Sequence, residues 1–193
     1  MSDITILKEM IKGTATVSLI DSDHNERRKR VILAETSANY SVPIYGMPEP
    51  DDVIVIKADA FPALTMVFAN SRGECKRADF IIVANTGERK VILCIEMKAK
   101  ATTSLESEII QQLKGAQCFV AYCQAIGKVF WGQENFLDSY DYRFINIRNI
   151  NIPKSMTRID PETGIHDSPE RMSKINFPGH LEFNKLVGKM SKK

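Results

Sequence analysis

Asp79 is separated by sixteen residues from Glu96, Met97 and Lys98, and the types and spacing of these four residues could support hydrolytic chemistry. Side chains alternate along a strand, so Glu96 and Lys98 share one face with Ile92 and Cys94, while Met97 points to the other. If Asp79 heads the strand paired with residues 90–96, a hairpin sets its carboxylate beside that of Glu96. Two carboxylates and the backbone carbonyl of Met97 then make a hard oxygen site, the kind that Mg2+ or Mn2+ prefers. Lys98 alongside would orient an attacking water or offset charge on a phosphate.

The acid-x-lysine triplet is common by itself. It occurs three times, at Glu74 with Lys76, Glu88 with Lys90 and Glu96 with Lys98. Only the third closes an apolar run, residues 91–95, and precedes a long amphipathic segment. A run that apolar should be buried on both faces, which leaves the charges after it at the rim of a core. Charges there are costly unless paired or bound to a metal.

The elements that must position these residues follow from periodicity. Residues 79–84 and 90–96 are two apolar runs joined by a turn at 85–89, predicting an antiparallel hairpin. Ile109, Leu113, Ala116, Val120 and Cys123 lie on one face of a predicted helix over about 105–125, with Ser104 near its start and Gly127 as its stop. Upstream, residues 3–12 predict a short helix with an Ile4, Leu7, Ile11 stripe and Gly13 as its cap. Residues 15–20 and 30–35 read as strands flanking a charged tip. Residues 46–50 read as loop, and 53–57 and 64–69 as strands. Downstream, 128–131 and 142–150 read as strands, 153–170 as a loop, 175–187 as a strand and short helix, and Lys192 and Lys193 as a frayed end. Strands outnumber helices, and one long helix covers the sheet. The fold class is α/β (α+β), a central mixed β-sheet with flanking helices, in one domain spanning 1–193.

Asp79 and the Glu96-Met97-Lys98 triplet on adjacent strands, with a long helix after them, resemble the core of the PD-(D/E)XK superfamily of restriction-endonuclease-like nucleases. The resemblance covers residues 77–126. It implies metal-dependent hydrolysis of phosphodiester bonds, in DNA more than RNA, with Asp79, Glu96 and the Met97 carbonyl as ligands of Mg2+ or Mn2+ and Lys98 as the catalytic lysine. By the same analogy the enzyme could work as a homodimer. Ala78 stands where the named motif has proline. A further acidic residue, often found ahead of the core sheet in this superfamily, is Glu9 or Glu35; the sequence does not choose between them. The Gln-x-x-x-Tyr pattern of the RecB-like branch is missing, since Ala121 follows Gln117 at that spacing. Two other readings compete: a nuclease-like fold without a working site that binds nucleic acid or protein, and an unrelated domain whose Glu96 and Lys98 form a surface ion pair.

The remaining candidates read as structural. Gln111 and Gln112 are expected on the polar surface of the helix, and His24, His166 and His180 in exposed loops. Arg27, Arg28, Lys29 and Arg30 read as a solvated tip, and Trp131, Tyr140 and Tyr142 as packing residues. The chain of 193 residues is 44% hydrophobic and 26% charged, a composition that excludes disorder over its whole length and supports a full core. Residues 1–140 carry 16 basic and 18 acidic side chains, and residues 141–193 carry 10 and 6, so only the C-terminal part leans basic. Cys75, Cys94, Cys118 and Cys123 have no zinc-ligand spacing, and the last three sit in apolar sequence as small hydrophobes. No signal segment or apolar run of membrane-spanning length is visible, so the expected setting is cytoplasmic and away from membranes.

Overall fold

The central strand of the computed structural model is also its most apolar one. Val91, Leu93, Ile95 and Met97 enter one core, whereas Ile92 and Cys94 enter another on the opposite face. The structure describes residues 1–22, 25–35, 39–99, 105–149, 165–176 and 178–188. Ser104, His24, Lys192, Lys193 and residues 153–164 of the expected loop lie outside them.

In chain order the elements are α1 (Asp3–Met10), β1 (Ile20–Ser22), β2 (Asn25–Glu35), β3 (Tyr40–Met47), β4 (Val53–Lys57), β5 (Phe80–Asn85) and β6 (Lys90–Lys98). These are followed by α2 (Glu106–Phe130), β7 (Asp141–Arg148), β8 (Ser173–Asn176), β9 (Leu181–Glu182) and α3 (Phe183–Val187). A five-stranded mixed sheet has the order β4-β5-β6-β7-β8, antiparallel from β4 to β6 and parallel from β6 to β8. A four-stranded sheet has the order β1-β2-β3-β9. The α+β class with mixed sheets is therefore as expected. So is the hairpin, in which Phe80 pairs with Ile95 and Ala84 with Val91.

Helices α1 and α2 cover one face of the five-stranded sheet, through Ile4, Leu7, Leu113, Ala116 and Val120 packed on Ile81, Val83, Ile92 and Cys94. The four-stranded sheet and α3 cover the other face, through Val31, Leu33, Val42, Ile44 and Phe183. This second layer was not legible in full. Strand β3 runs through Gly46 into the expected 46–50 loop, and β2 starts at Asn25, inside the expected charged tip. Within β2, Lys29 pairs with Asp21 of β1 at 2.5 Å. Residues 15–20 supply only a helical turn, one bridge from Thr16 to Ile56 and the first residue of β1.

Residues 64–69 are irregular rather than a strand, and Met66 is 96% exposed. One edge of β4 is occupied by β5, and Thr16 and Val17 bond β4 as well, so residues 64–69 do not extend that sheet past β4. Helix α1 ends at Met10 with Ile11 as its cap, ahead of Gly13, and Ser2 caps its start by accepting a 3.1 Å bond from the Thr5 amide.

Gly127 does not stop α2, which runs on to Phe130 and absorbs the expected strand at 128–131. The glycine is there for close packing: a Cβ on it would lie 2.2 Å from the Phe136 ring. Gly115 has the same role nearer the candidate site, because its Cβ would fall 1.9 Å from the backbone oxygen of Lys76. Backbone retreats less readily than a side chain. Gly115→Ala is therefore expected to cost about 2 kcal/mol despite its better helix propensity, read as a lower urea midpoint at unchanged slope.

Candidate active site

Asp79 immediately precedes β5, and its backbone oxygen accepts a 2.9 Å bond from Ala58 just after β4. Its Oδ2 accepts a 2.6 Å bond from the backbone N–H of Met97. That bond ties the Asp79 carboxylate to β6 between Glu96 and Lys98. The N–H and C=O of one strand residue face the same edge, so the Met97 carbonyl also faces the β5 edge where Asp79 lies. The Met97 side chain packs in the opposite core, as alternation requires.

Glu96 is 1% exposed. Its Oε1 accepts a 2.5 Å bond from Lys98 Nζ, two residues along on the same face. The Lys98 side chain is 22% exposed, so this pair is not a surface ion pair. Oε2 of Glu96 is buried and has no hydrogen-bond partner among the described residues. Burial pushes the Glu96 carboxyl up to about 8, and the neighbouring Asp79 charge adds to the shift against the opposing effect of Lys98. Asp79 is raised to about 6, again chiefly by burial, with the Met97 N–H and Lys98 acting in the other direction.

The charge of Glu35, the last residue of β2, raises both carboxyls as well, and Asp59 raises Asp79. Glu35 thus stands within electrostatic reach of the pair. Glu9 does not: its Oε2 accepts a 3.0 Å bond from Trp131 Nε1. Among the described residues, no three carboxylate, thiol or imidazole groups converge closely enough to hold a metal by themselves. The donor set beside β6 is therefore two carboxylates and a carbonyl. An acceptor oxygen buried without a partner, on a carboxyl that holds its proton up to about 8, fits a hard cation, which would satisfy the oxygen and displace the proton.

Next to Glu96, β7 places Asn146 in register, and Arg148 stands beside Lys98. Neither was singled out in the sequence. The signal was present, since Asn146 interrupts an apolar strand with a wholly buried polar group, the same argument that marks Glu96.

The other candidates lie elsewhere. Gln111 donates to the backbone oxygen of Arg72 at 3.2 Å. His166 contacts the Leu186 oxygen, and His180 contacts Glu182 and stacks on Tyr45. Tyr140 is buried and Tyr142 stacks on Phe144, as packing residues do. Cys75, Cys94 and Cys123 are buried free thiols, but Cys118 is exposed on α2 and does not act as a small hydrophobe. No helix among the described residues is long and apolar enough to cross a membrane. Compared with protein-family models, curated proteins and solved structures, the chain gives no significant match.

Proposed function

We propose that the chain is a metal-dependent nuclease that hydrolyses phosphodiester bonds, with DNA rather than RNA as the expected polymer. The observation that carries this reading is the buried Glu96 carboxylate with its unpartnered Oε2, set beside Asp79 and bonded through Oε1 to Lys98. The resemblance to the PD-(D/E)XK superfamily asks for the motif on two adjacent strands with a long helix after them, and β5, β6 and α2 have that order.

Asp79, Glu96 and the Met97 carbonyl would hold Mg2+ or Mn2+. When bound there, the ion supplies Lewis acidity and an acidified water at neutral pH. Asp79 is kept in place by the Met97 N–H, so its second oxygen is the one available to the cation. Lys98 spends one of its three N–H donors on Glu96 and keeps the others for a water or a non-bridging phosphate oxygen. The ammonium thereby orients the attacking oxygen and offsets charge that builds on phosphorus.

Calorimetric titration of Mn2+ into the wild type, alone and with a DNA oligonucleotide, tests the reading together with a cleavage screen on DNA and RNA. Binding and cleavage that EDTA stops are expected. A chain that binds DNA in EDTA yet neither binds Mn2+ nor cleaves is a binding module with a nuclease-like core, and the proposal falls.

A further inference from the structure

Arg148 carries the second feature of this face. Its Nε donates a 2.9 Å bond to Oδ1 of Asn146, which is 0% exposed. Among the described residues that is the only hydrogen bond Arg148 makes, and it forms no ion pair there. Glu106 feels its charge, but Glu106 is bonded to Lys174 at 2.7 Å. A guanidinium held at Nε by a neutral amide keeps its full charge and presents its two terminal amino groups as a planar fork. That geometry suits a phosphate oxyanion.

The second observation concerns the other end of the same amide. Nδ2 of Asn146 is buried without a hydrogen-bond partner among the described residues, an N–H donor left unused next to Glu96. Charge on this face is also divided. Asp79 and Glu96 lie toward β5 and β6, while Lys98 on β6 and Arg148 on β7 are register neighbours; Lys174 on β8 stands beside Asn146 and is bonded to Glu106. Neighbouring strands lie about 4.8 Å apart, so Lys98 and Arg148 stand close enough to meet one nucleic-acid backbone.

We infer that Arg148, pinned by Asn146, is an anion fork for a phosphodiester of a nucleic-acid strand crossing β6 and β7 beside the acid pair. The ligand class rests on the proposed function, but the binding step needs no metal. Arg148 grips the phosphate, and Asn146 is the positioning residue that fixes the plane of the fork.

The test is fluorescence anisotropy of a labelled DNA oligonucleotide in EDTA, measured over a series of NaCl concentrations. Arg148→Ala is expected to weaken binding about tenfold and to flatten the dependence of log Kd on log salt by about one ion. Asn146→Ala and Arg148→Lys keep the charge, so both should leave that slope unchanged and still weaken binding about threefold. Arg148→Lys stands in for Asn146→Ala if the buried amide proves necessary for folding. Arg171→Ala, at an exposed arginine paired with Asp167, should change nothing. An unchanged salt slope in Arg148→Ala overturns the inference while leaving the nuclease reading intact. A wild type that does not bind the oligonucleotide overturns both. Binding that depends on Arg148 in a chain that neither takes up Mn2+ nor cleaves supports the inference and removes the nuclease reading.

Discussion

Glu96→Gln and Lys98→Ala are each expected to lower metal-dependent cleavage by about 100- to 1,000-fold, the usual effect of removing one electrostatic stabiliser from a hydrolytic site. The two should fail for different reasons. Glu96→Gln replaces the carboxylate that carries the unpartnered Oε2, so Mn2+ affinity and turnover fall together. Lys98→Ala removes a cation that repels a second cation, so Mn2+ should bind at least as tightly while turnover is lost. Asp79→Asn should resemble Glu96→Gln and keep its fold, because an amide oxygen still accepts the Met97 N–H. Titration calorimetry and single-turnover cleavage on the same preparations separate the two classes. Full cleavage by Glu96→Gln would remove Glu96 from the mechanism.

The second large effect is on stability, and its sign follows from the direction of the shifts. Both carboxyls are raised above their ordinary values, to about 6 for Asp79 and about 8 for Glu96, so the folded metal-free chain holds protons that the unfolded chain releases. The stability tied to that protonation is fully present below about pH 4, the ordinary carboxylate range, and is lost as pH rises through the folded values. Thermal unfolding in EDTA should therefore show Tm falling between about pH 5 and pH 8.

Glu96→Gln mimics the protonated side chain. At pH 8 it should be more stable than the wild type by on the order of 2 kcal/mol, or roughly 4–8 °C in Tm for a chain of this length. Saturating Mn2+ should raise the wild-type Tm at that pH and leave Glu96→Gln nearly unmoved, because only a ligand that prefers the folded state stabilises it. A Tm independent of pH in EDTA would mean that the carboxyls are not held protonated by their surroundings.

Arg148→Ala, through its salt slope, and Gly115→Ala, through its urea midpoint, test the two features the sequence hid most thoroughly. The pattern of residues 91–98 made the centre of the fold legible. A strand with no polar residue on either face must lie inside a sheet covered on both sides, and a glutamate and lysine at its end then stand at the rim of a core. The hairpin turn at 85–89 and the helical face from Ile109 to Cys123 were equally plain, because the register of a two-residue period and that of a 3.6-residue period are both local properties.

Gly127 shows where local reasoning stops. A glycine after an amphipathic run reads as a helix end, yet this one lets the Phe136 ring approach the helix, and nothing near it in sequence announces that contact. Residues 64–69 have strand composition but pair with no strand, and residues 40–47 contain Pro43 and Gly46 yet find partners in β2 and β9.

The sequence by itself therefore determined the α+β class, the motif hairpin, the helix behind it and the identity of Asp79, Glu96 and Lys98 as neighbours, because alternation and hairpin register bring them together at the end of the hairpin opposite its turn. Tertiary structure alone decided that Glu35 and not Glu9 lies within electrostatic reach of the pair, that the Met97 N–H fixes Asp79, and that Asn146 and Arg148 stand beside Glu96 and Lys98. The relations of Glu35, Asn146 and Arg148 to the pair join strands separated by tens of residues. Parallel pairing across the α2 crossover and the stacking of a second sheet set them, and neither leaves a periodicity in the chain.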